Sequence, residues 1–160
     1  MKYTFRTANI SDIKFLSKVI IEAERSGSDK IGLAIVFNLT ESELQNYLIQ
    51  ILDEEIEGCE FSYSNFVIAE FDSKPVAAFG GWIENENENN QPSAILKSNL
   101  IGFIFPKEKL MELKNNQEII KDLLIEREPH SHQLEFAYVD ANHRGNGLIN
   151  KIIDELLKIA

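Results

Sequence analysis

The sequence predicts a mixed α+β fold, and three observations carry that prediction. Leu134-Glu-Phe-Ala-Tyr-Val139 is aromatic and β-branched, and it runs through a polar turn with two glycines into apolar residues at helical spacing. Asn65 to Phe71 and Pro75 to Ile83 read as two further strands around Asp72-Ser73-Lys74. Ahead of them stand two segments whose apolar residues recur every three or four positions, the mark of helices that bury one stripe.

In chain order, Tyr3-Thr-Phe-Arg6 alternates like a short first strand, and Thr7 to Ser11 is its polar break. Ile13, Leu16, Val19, Ile20 and Ala23 then mark a helix that should stop near Ser26-Gly27. Ile31 to Leu39 is a short apolar run that periodicity cannot assign, so a loop or a short helix is expected. Thr40-Glu-Ser-Glu43 is a capping box, Thr40 serving the N–H of Glu43 and Glu43 reaching back. The helix it opens, with Leu44, Tyr47, Leu48, Ile51 and Leu52, should run to about Glu57. After the predicted hairpin, with its three-residue loop, comes a long excursion from Glu84 to Gln133, an insert at residues 84–133 between the third and fourth strands. Glu84-Asn-Glu-Asn-Glu-Asn-Asn90 has no apolar anchor and reads as solvated. Order should return beyond Ser93, with a short helix after Pro106 and a second over Gln117 to Leu124.

The closing unit is the most informative. As a strand, Leu134, Phe136 and Tyr138 share one face while Glu135, Ala137 and Val139 share the other. Asp140-Ala-Asn-His-Arg-Gly-Asn-Gly147 breaks it, and Leu148, Ile149, Ile152, Ile153, Leu156 and Leu157 form the buried stripe of the following helix. A glycine turn that opens a helix suits an anion. The first N–H groups of a helix lack internal partners, its dipole is positive there, and glycines let the backbone approach a phosphate. Neither the dinucleotide spacing GxGxxG nor the P-loop spacing fits Gly145 and Gly147, which disfavours a nucleotide site of either kind.

Composition narrows the classes. With 160 residues, 44% of them hydrophobic, the chain suits one globular domain, 1–160. A formal charge of −10 argues against non-specific nucleic-acid or anionic-membrane binding and tolerates a cationic acceptor. The single cysteine, Cys59, cannot form an intrachain disulfide, and nothing after Met1-Lys2-Tyr3 resembles a signal peptide, so a cytoplasmic location is expected. No apolar run reaches membrane-spanning length. His130-Ser-His132 follows Pro129 in an expected loop and lacks further ligands at metal spacing, so no metal site is expected.

At Val139-Asp-Ala141 and Arg144-Gly-Asn-Gly-Leu148 the sequence resembles the GNAT superfamily of N-acetyltransferases. Its signature is a strand ending in Val-x-Pro, a basic residue, then [Gln/Arg]-x-x-Gly-x-[Gly/Ala] at the start of a long helix. Ala141 stands where proline is usual, and Ile149 where the last Gly or Ala is expected. The N-terminal order of strand, Arg-Thr-Ala, Asp12 and helix is similar too. The resemblance implies a mostly antiparallel four-stranded sheet with helices on its faces, and acyl transfer from acetyl-CoA to a primary amine without a covalent enzyme intermediate. The pantetheine arm would add to the edge of the fourth strand at Tyr138 and Val139. A backbone N–H near Val139 would polarise the thioester carbonyl. Asn142, His143, Arg144, Gly145, Asn146 and Gly147 would hold the pyrophosphate, His143 as an extra donor. Glu135, taken to share a face with Val139, is the candidate base, its alternatives being an acceptor-binding carboxylate or an exposed strand glutamate. Ile31 to Phe37 would border the acceptor pocket, and the insert would shape acceptor specificity.

A domain of this family continues past the pyrophosphate motif with a fifth strand, a fourth helix and a closing pair of strands. The expectation is therefore an N-terminal portion of the fold, apparently incomplete at the C-terminus, with Leu134 to Val139 at an open edge. Such an edge calls for cover by a second copy in a homodimer, by a partner, or by further protein. The competing function is a catalytically degenerate module that binds acyl-CoA or another protein.

Overall fold

The computed structural model describes residues 2–85, 91–116, 118 and 126–159. Four strands pair antiparallel in chain order: β1 (Tyr3–Thr7), β2 (Phe66–Phe71), β3 (Lys74–Ile83) and β4 (His132–Val139). β4 pairs only with β3 among the described residues, so it is the edge that the sequence leads one to expect. Phe71 pairs directly with Lys74, which makes the hairpin loop two residues and not three. Asp72 and Ser73 both take positive φ, 49° and 62°, and such a turn matches the twist of its strands.

The helices are α1 (Ile13–Arg25), α2 (Gly32–Val36), α3 (Glu41–Glu54), α4 (Ser93–Ile104), α5 (Lys107–Asn115) and α6 (Leu148–Ile159). α1 stops where Ser26 turns left-handed, and α2 settles the ambiguous run after it as a short helix. Both halves of the Thr40–Glu43 capping box form. α3 ends three residues before the expected Glu57, because Glu55 takes φ 45° and its carboxylate turns to the N–H groups of Tyr63 and Ser64. α4 is a helix that periodicity misses: SAILKSNLIGFI is apolar almost all round and has no stripe to detect. α5 follows Pro106 as expected. The second insert helix, Gln117 to Leu124, and most of the run Glu84 to Asn90 lie outside the described residues. Glu84 itself is buried, which corrects its reading as solvated. Its carboxylate accepts from Trp82 Nε1 at 3.1 Å and from the Ser93 N–H at 2.8 Å, so it ties β3 to the start of α4.

The sheet has a core on each face. On one, α1 and α3 pack Leu16, Ile20, Leu44, Leu48 and Leu52 against Phe66, Ile68 and Ala78. On the other, α6 lays Leu148, Ile152 and Leu156 over Val67, Ala69, Val76 and Ala77. Only these three of its six apolar residues are fully buried; Ile149 and Ile153 are half-buried and Leu157 is exposed, so the helix contributes about half the burial that a full stripe gives. No described helix is long and apolar enough to cross a membrane.

One irregularity sets the geometry of β4. Tyr138 stands opposite Ala78 and Glu135 opposite Gly80, so Phe136 and Ala137 together face Phe79. Phe136 takes φ 63°, a conformation costly for an aromatic residue and the mark of a β-bulge. Its ring settles 5.7 Å from Phe61 and 6.2 Å from Phe66, on the α1 face. A Cβ at Gly80 would meet the Phe66 ring, so its partner Glu135 also lies on the α1 face, while Leu134, opposite Gly81, meets Leu156 on the α6 face.

Candidate active site

The site grows from the end of β4. The Asp140 N–H donates to Val76 O at 2.8 Å. Peptide groups alternate sides along an antiparallel strand, so Val139 directs its own N–H and C=O away from β3, toward the open edge. Its carbonyl there accepts from Arg144 Nε at 3.2 Å.

The turn that follows is braced from within. Asp140 accepts from the Asn142 N–H at 3.0 Å, and Asn146 Nδ2 donates to His143 O at 2.9 Å. His143 is committed elsewhere than toward an anion. Its Nδ1 is 3.0 Å from the Tyr3 hydroxyl, and its ring lies 5.0 Å from that of Phe71, so it anchors the turn to β1 and β2. Gly145 and Gly147 take φ 79° and 67°, and a Cβ at either would meet nothing within 4 Å. Among the described residues the N–H groups of Gly145, Asn146 and Gly147 make no hydrogen bond, and α6 begins at Leu148 with its first-turn N–H groups free.

Beside this turn lies an open cleft of about 490 Å³, lined by Glu22, Arg25, Gly27 and Ser28 from the end of α1, by Ala137, Tyr138 and Val139, and by Arg144 and Ile149. It therefore joins the outward edge of β4 to the N-terminus of α6. Arg25 is engaged with Glu22 and Glu41, which leaves Arg144 as the less committed guanidinium at the cleft. Lys18 stands over the Tyr138 ring at 5.3 Å. The Tyr138 phenol, with Asp140 and Glu22, holds its ammonium above the ordinary lysine range.

Glu135 does not share a face with Val139, because the bulge at Phe136 rotates the strand between them. It joins instead a charged cluster on the α1 face. Arg127 Nη2 is 2.6 Å from Glu135 and 2.8 Å from Glu60, its Nη1 donates to Ser93 Oγ at 3.2 Å, and the guanidinium lies 5.3 Å from the Trp82 ring centroid. Glu60, 2% exposed, also bonds Lys97 of α4. The salt of this cluster comes from four separate segments, and no spacing in the sequence announces it. Glu24 of α1 lies nearby and accepts the Leu33 N–H at 2.9 Å. Its carboxyl is held above the ordinary range by burial and by the charges of Glu60 and Glu135, against the pull of the Leu33 N–H and Lys97. His130 sits in a turn at φ 61°, whereas His132 belongs to β4, paired with Ile83, and not to a loop.

The comparisons agree with this geometry. An N-acetyltransferase from Staphylococcus aureus Mu50 superposes with a TM-score of 0.69 at 15% identity, over 98% of this chain and 76% of that one. A structure described as an acetyltransferase gives 0.61 at 19%, over 98% and 74%. A GCN5-related N-acetyltransferase from Ralstonia eutropha JMP134 gives 0.51 at 12%, over 98% and 74%. No family model and no curated protein matches the chain. The chain thus has the fold of the GCN5-related N-acetyltransferases, with the four-stranded antiparallel sheet and helices on both faces.

Proposed function

We propose that this protein binds acetyl-CoA in the cleft beside β4 and transfers its acetyl group to a primary amine. The observation that carries the reading is the set of N–H groups from Gly145 to the first turn of α6 that have no partner among the described residues, flanked by Arg144 and Ile149, which line the same cleft as Ala137 to Val139 of β4. Those groups and Arg144 hold the pyrophosphate. Asn142 and His143 shape the turn and do not themselves donate. The amides of pantetheine extend the sheet along Tyr138 and Val139, and the Val139 N–H polarises the thioester carbonyl. Ile149 lines the cleft at the start of α6.

The acceptor is taken to approach from the α1 side of the sheet, where Glu135 and its charged neighbours lie. Glu135 is on that side, with Arg127 on one carboxylate oxygen and the other oxygen without a described partner, and it receives the ammonium of the acceptor. This chooses the acceptor contact among the roles open to Glu135 in the sequence. A protein that only binds acyl-CoA remains the alternative, favoured by the bulk of Ile149 at the helix start. Titration calorimetry with acetyl-CoA, followed by thiol release over ethanolamine, putrescine, lysine and a tripeptide, tests both. Micromolar binding with release of CoA thiol is expected; binding without turnover leaves the module, and no binding overturns the reading.

A further inference from the structure

Resting on that reading, we propose that Tyr3 of β1 is a positioning residue for acetyl-CoA: through His143 and Asn146 it presets the backbone N–H groups that meet the pyrophosphate. The relay starts on a rigid base. Tyr3 pairs with Phe71 across β1 and β2, and their rings lie 5.2 Å apart against the core that α6 covers. The His143 ring packs onto both, 5.8 Å from Tyr3 in an edge contact and 5.0 Å from Phe71. Its Nδ1 shares a hydrogen bond with the Tyr3 hydroxyl at 3.0 Å.

Among the described residues this is the one hydrogen bond by which a side chain of the turn at 140–147 reaches beyond β4 and the turn itself. Asp140 accepts from the Asn142 N–H, Arg144 donates to the carbonyl of Val139, and Asn146 donates within the turn. Beyond the Cα atoms of Gly145 and Gly147 the space is open, so packing does not hold those residues from that side. A turn of this kind is ordered by its anchors, and an anchor lost in the free protein is order that the ligand must impose at the expense of its own affinity.

The second half of the relay follows from the geometry of the peptide unit. Asn146 Nδ2 donates to His143 O at 2.9 Å and to Arg144 O at 3.3 Å. In a trans peptide the carbonyl and the N–H that follows it point opposite ways. With the carbonyls of His143 and Arg144 turned toward the Asn146 amide, the N–H groups of Arg144 and Gly145 turn away from it. Tyr3 thus fixes His143, the His143 carbonyl fixes the Asn146 side chain, and Asn146 fixes the direction in which the donors face.

The test compares two acetyl donors to the fastest amine of the panel: acetyl-CoA, and S-acetylpantetheine, which has the thioester and the amides but no pyrophosphate. kcat and KM for each donor are measured by thiol release on the parent, Tyr3→Phe, His143→Phe, the double variant and Asn146→Ala, with thermal melts alongside. Tyr3→Phe keeps the ring and loses only the hydroxyl. It should lower kcat/KM for acetyl-CoA about fivefold, the share of one hydrogen bond, through KM and not kcat, and leave S-acetylpantetheine unaffected. His143→Phe should lose as much, and the double variant no more than either, since each change breaks the same bond. Asn146→Ala, which frees two carbonyls, should lose about tenfold or more with acetyl-CoA alone. A Tyr3→Phe enzyme that uses acetyl-CoA as well as the parent overturns the proposal, even if it melts lower. An equal loss with both donors also overturns it, because a distortion of the whole domain would not spare the donor that lacks pyrophosphate. If the parent fails to bind acetyl-CoA, the reading of the site falls and the relay with it; if the parent binds and the donor ratio stays fixed in Tyr3→Phe, the relay alone falls.

Discussion

Gly147 offers the sharpest separation of backbone from charge. At φ 67° any side chain is strained, but the space beyond its Cα is open. Gly147→Ala should therefore cost about 1 kcal/mol of stability through conformation alone. In a domain of this size that lowers the melting temperature by roughly 2–4 °C. Gly147→Glu carries the same strain and adds a negative charge at the mouth of the phosphate cradle. Two unit charges about 6 Å apart, at an effective dielectric of about 40, repel by about 1.4 kcal/mol, so the two phosphates of a pyrophosphate together cost about 2.8 kcal/mol. The expected loss of acetyl-CoA affinity is thus about 100-fold for Gly147→Glu, against at most a few-fold for Gly147→Ala. Calorimetric titration at low and high salt, with thermal melts alongside, measures both terms. The charge penalty should shrink as salt rises. Equal affinity for parent and Gly147→Glu, with the variant folded, refutes the placement of the pyrophosphate. An equal loss in both variants would mean that backbone shape and not charge is what the site requires.

Two further outcomes follow from the sheet and its N-terminal support. A Cβ at Gly80 would lie 3.1 Å from Glu135 O and 3.1 Å from the buried Phe66 ring, whereas at Gly81 its nearest neighbours would be the side-chain ends of Leu134 and Leu156. Gly80→Ala should destabilise by about 1–3 kcal/mol and disturb acceptor KM through Glu135, and Gly81→Ala should cost less, in urea melts and steady-state kinetics. Asp12, 4% exposed, accepts bidentately from Arg6, and although burial alone would raise its carboxyl, Arg6 and the Asn9 N–H hold it below the ordinary range. The folded protein then binds fewer protons at Asp12 than the unfolded chain does. Its contribution is full above about pH 4 and fades as pH falls through the lowered folded value. Asp12→Asn should cost about 1–3 kcal/mol at pH 7 and clearly less at pH 3 in urea melts, and an equal cost at both would remove the ion pair as its source.

The local chemistry of this chain was legible in its sequence wherever neighbours along the chain determine structure. The Thr40–Glu43 box, the stop at Ser26-Gly27 and the glycine turn before α6 each depend on residues within a few positions of one another and formed where expected, and the hairpin formed there with a loop one residue shorter than expected. The turn proposed to hold the pyrophosphate belongs to this class, since its glycines and the free end of its helix are contiguous. α4 escaped because periodicity reports only a helix with one wet face. What the tertiary structure decided was the side on which each β4 residue acts. Strict alternation pairs Glu135 with Val139, but a single bulged residue, Phe136, is held at positive φ by the packing of its ring between Phe61 and Phe66, and that packing reverses the pairing. The same long-range contacts gather Glu60, Lys97, Arg127 and Glu135 from four separate segments, because a buried charge must find its partners in space and leaves no spacing in the sequence by which to find them.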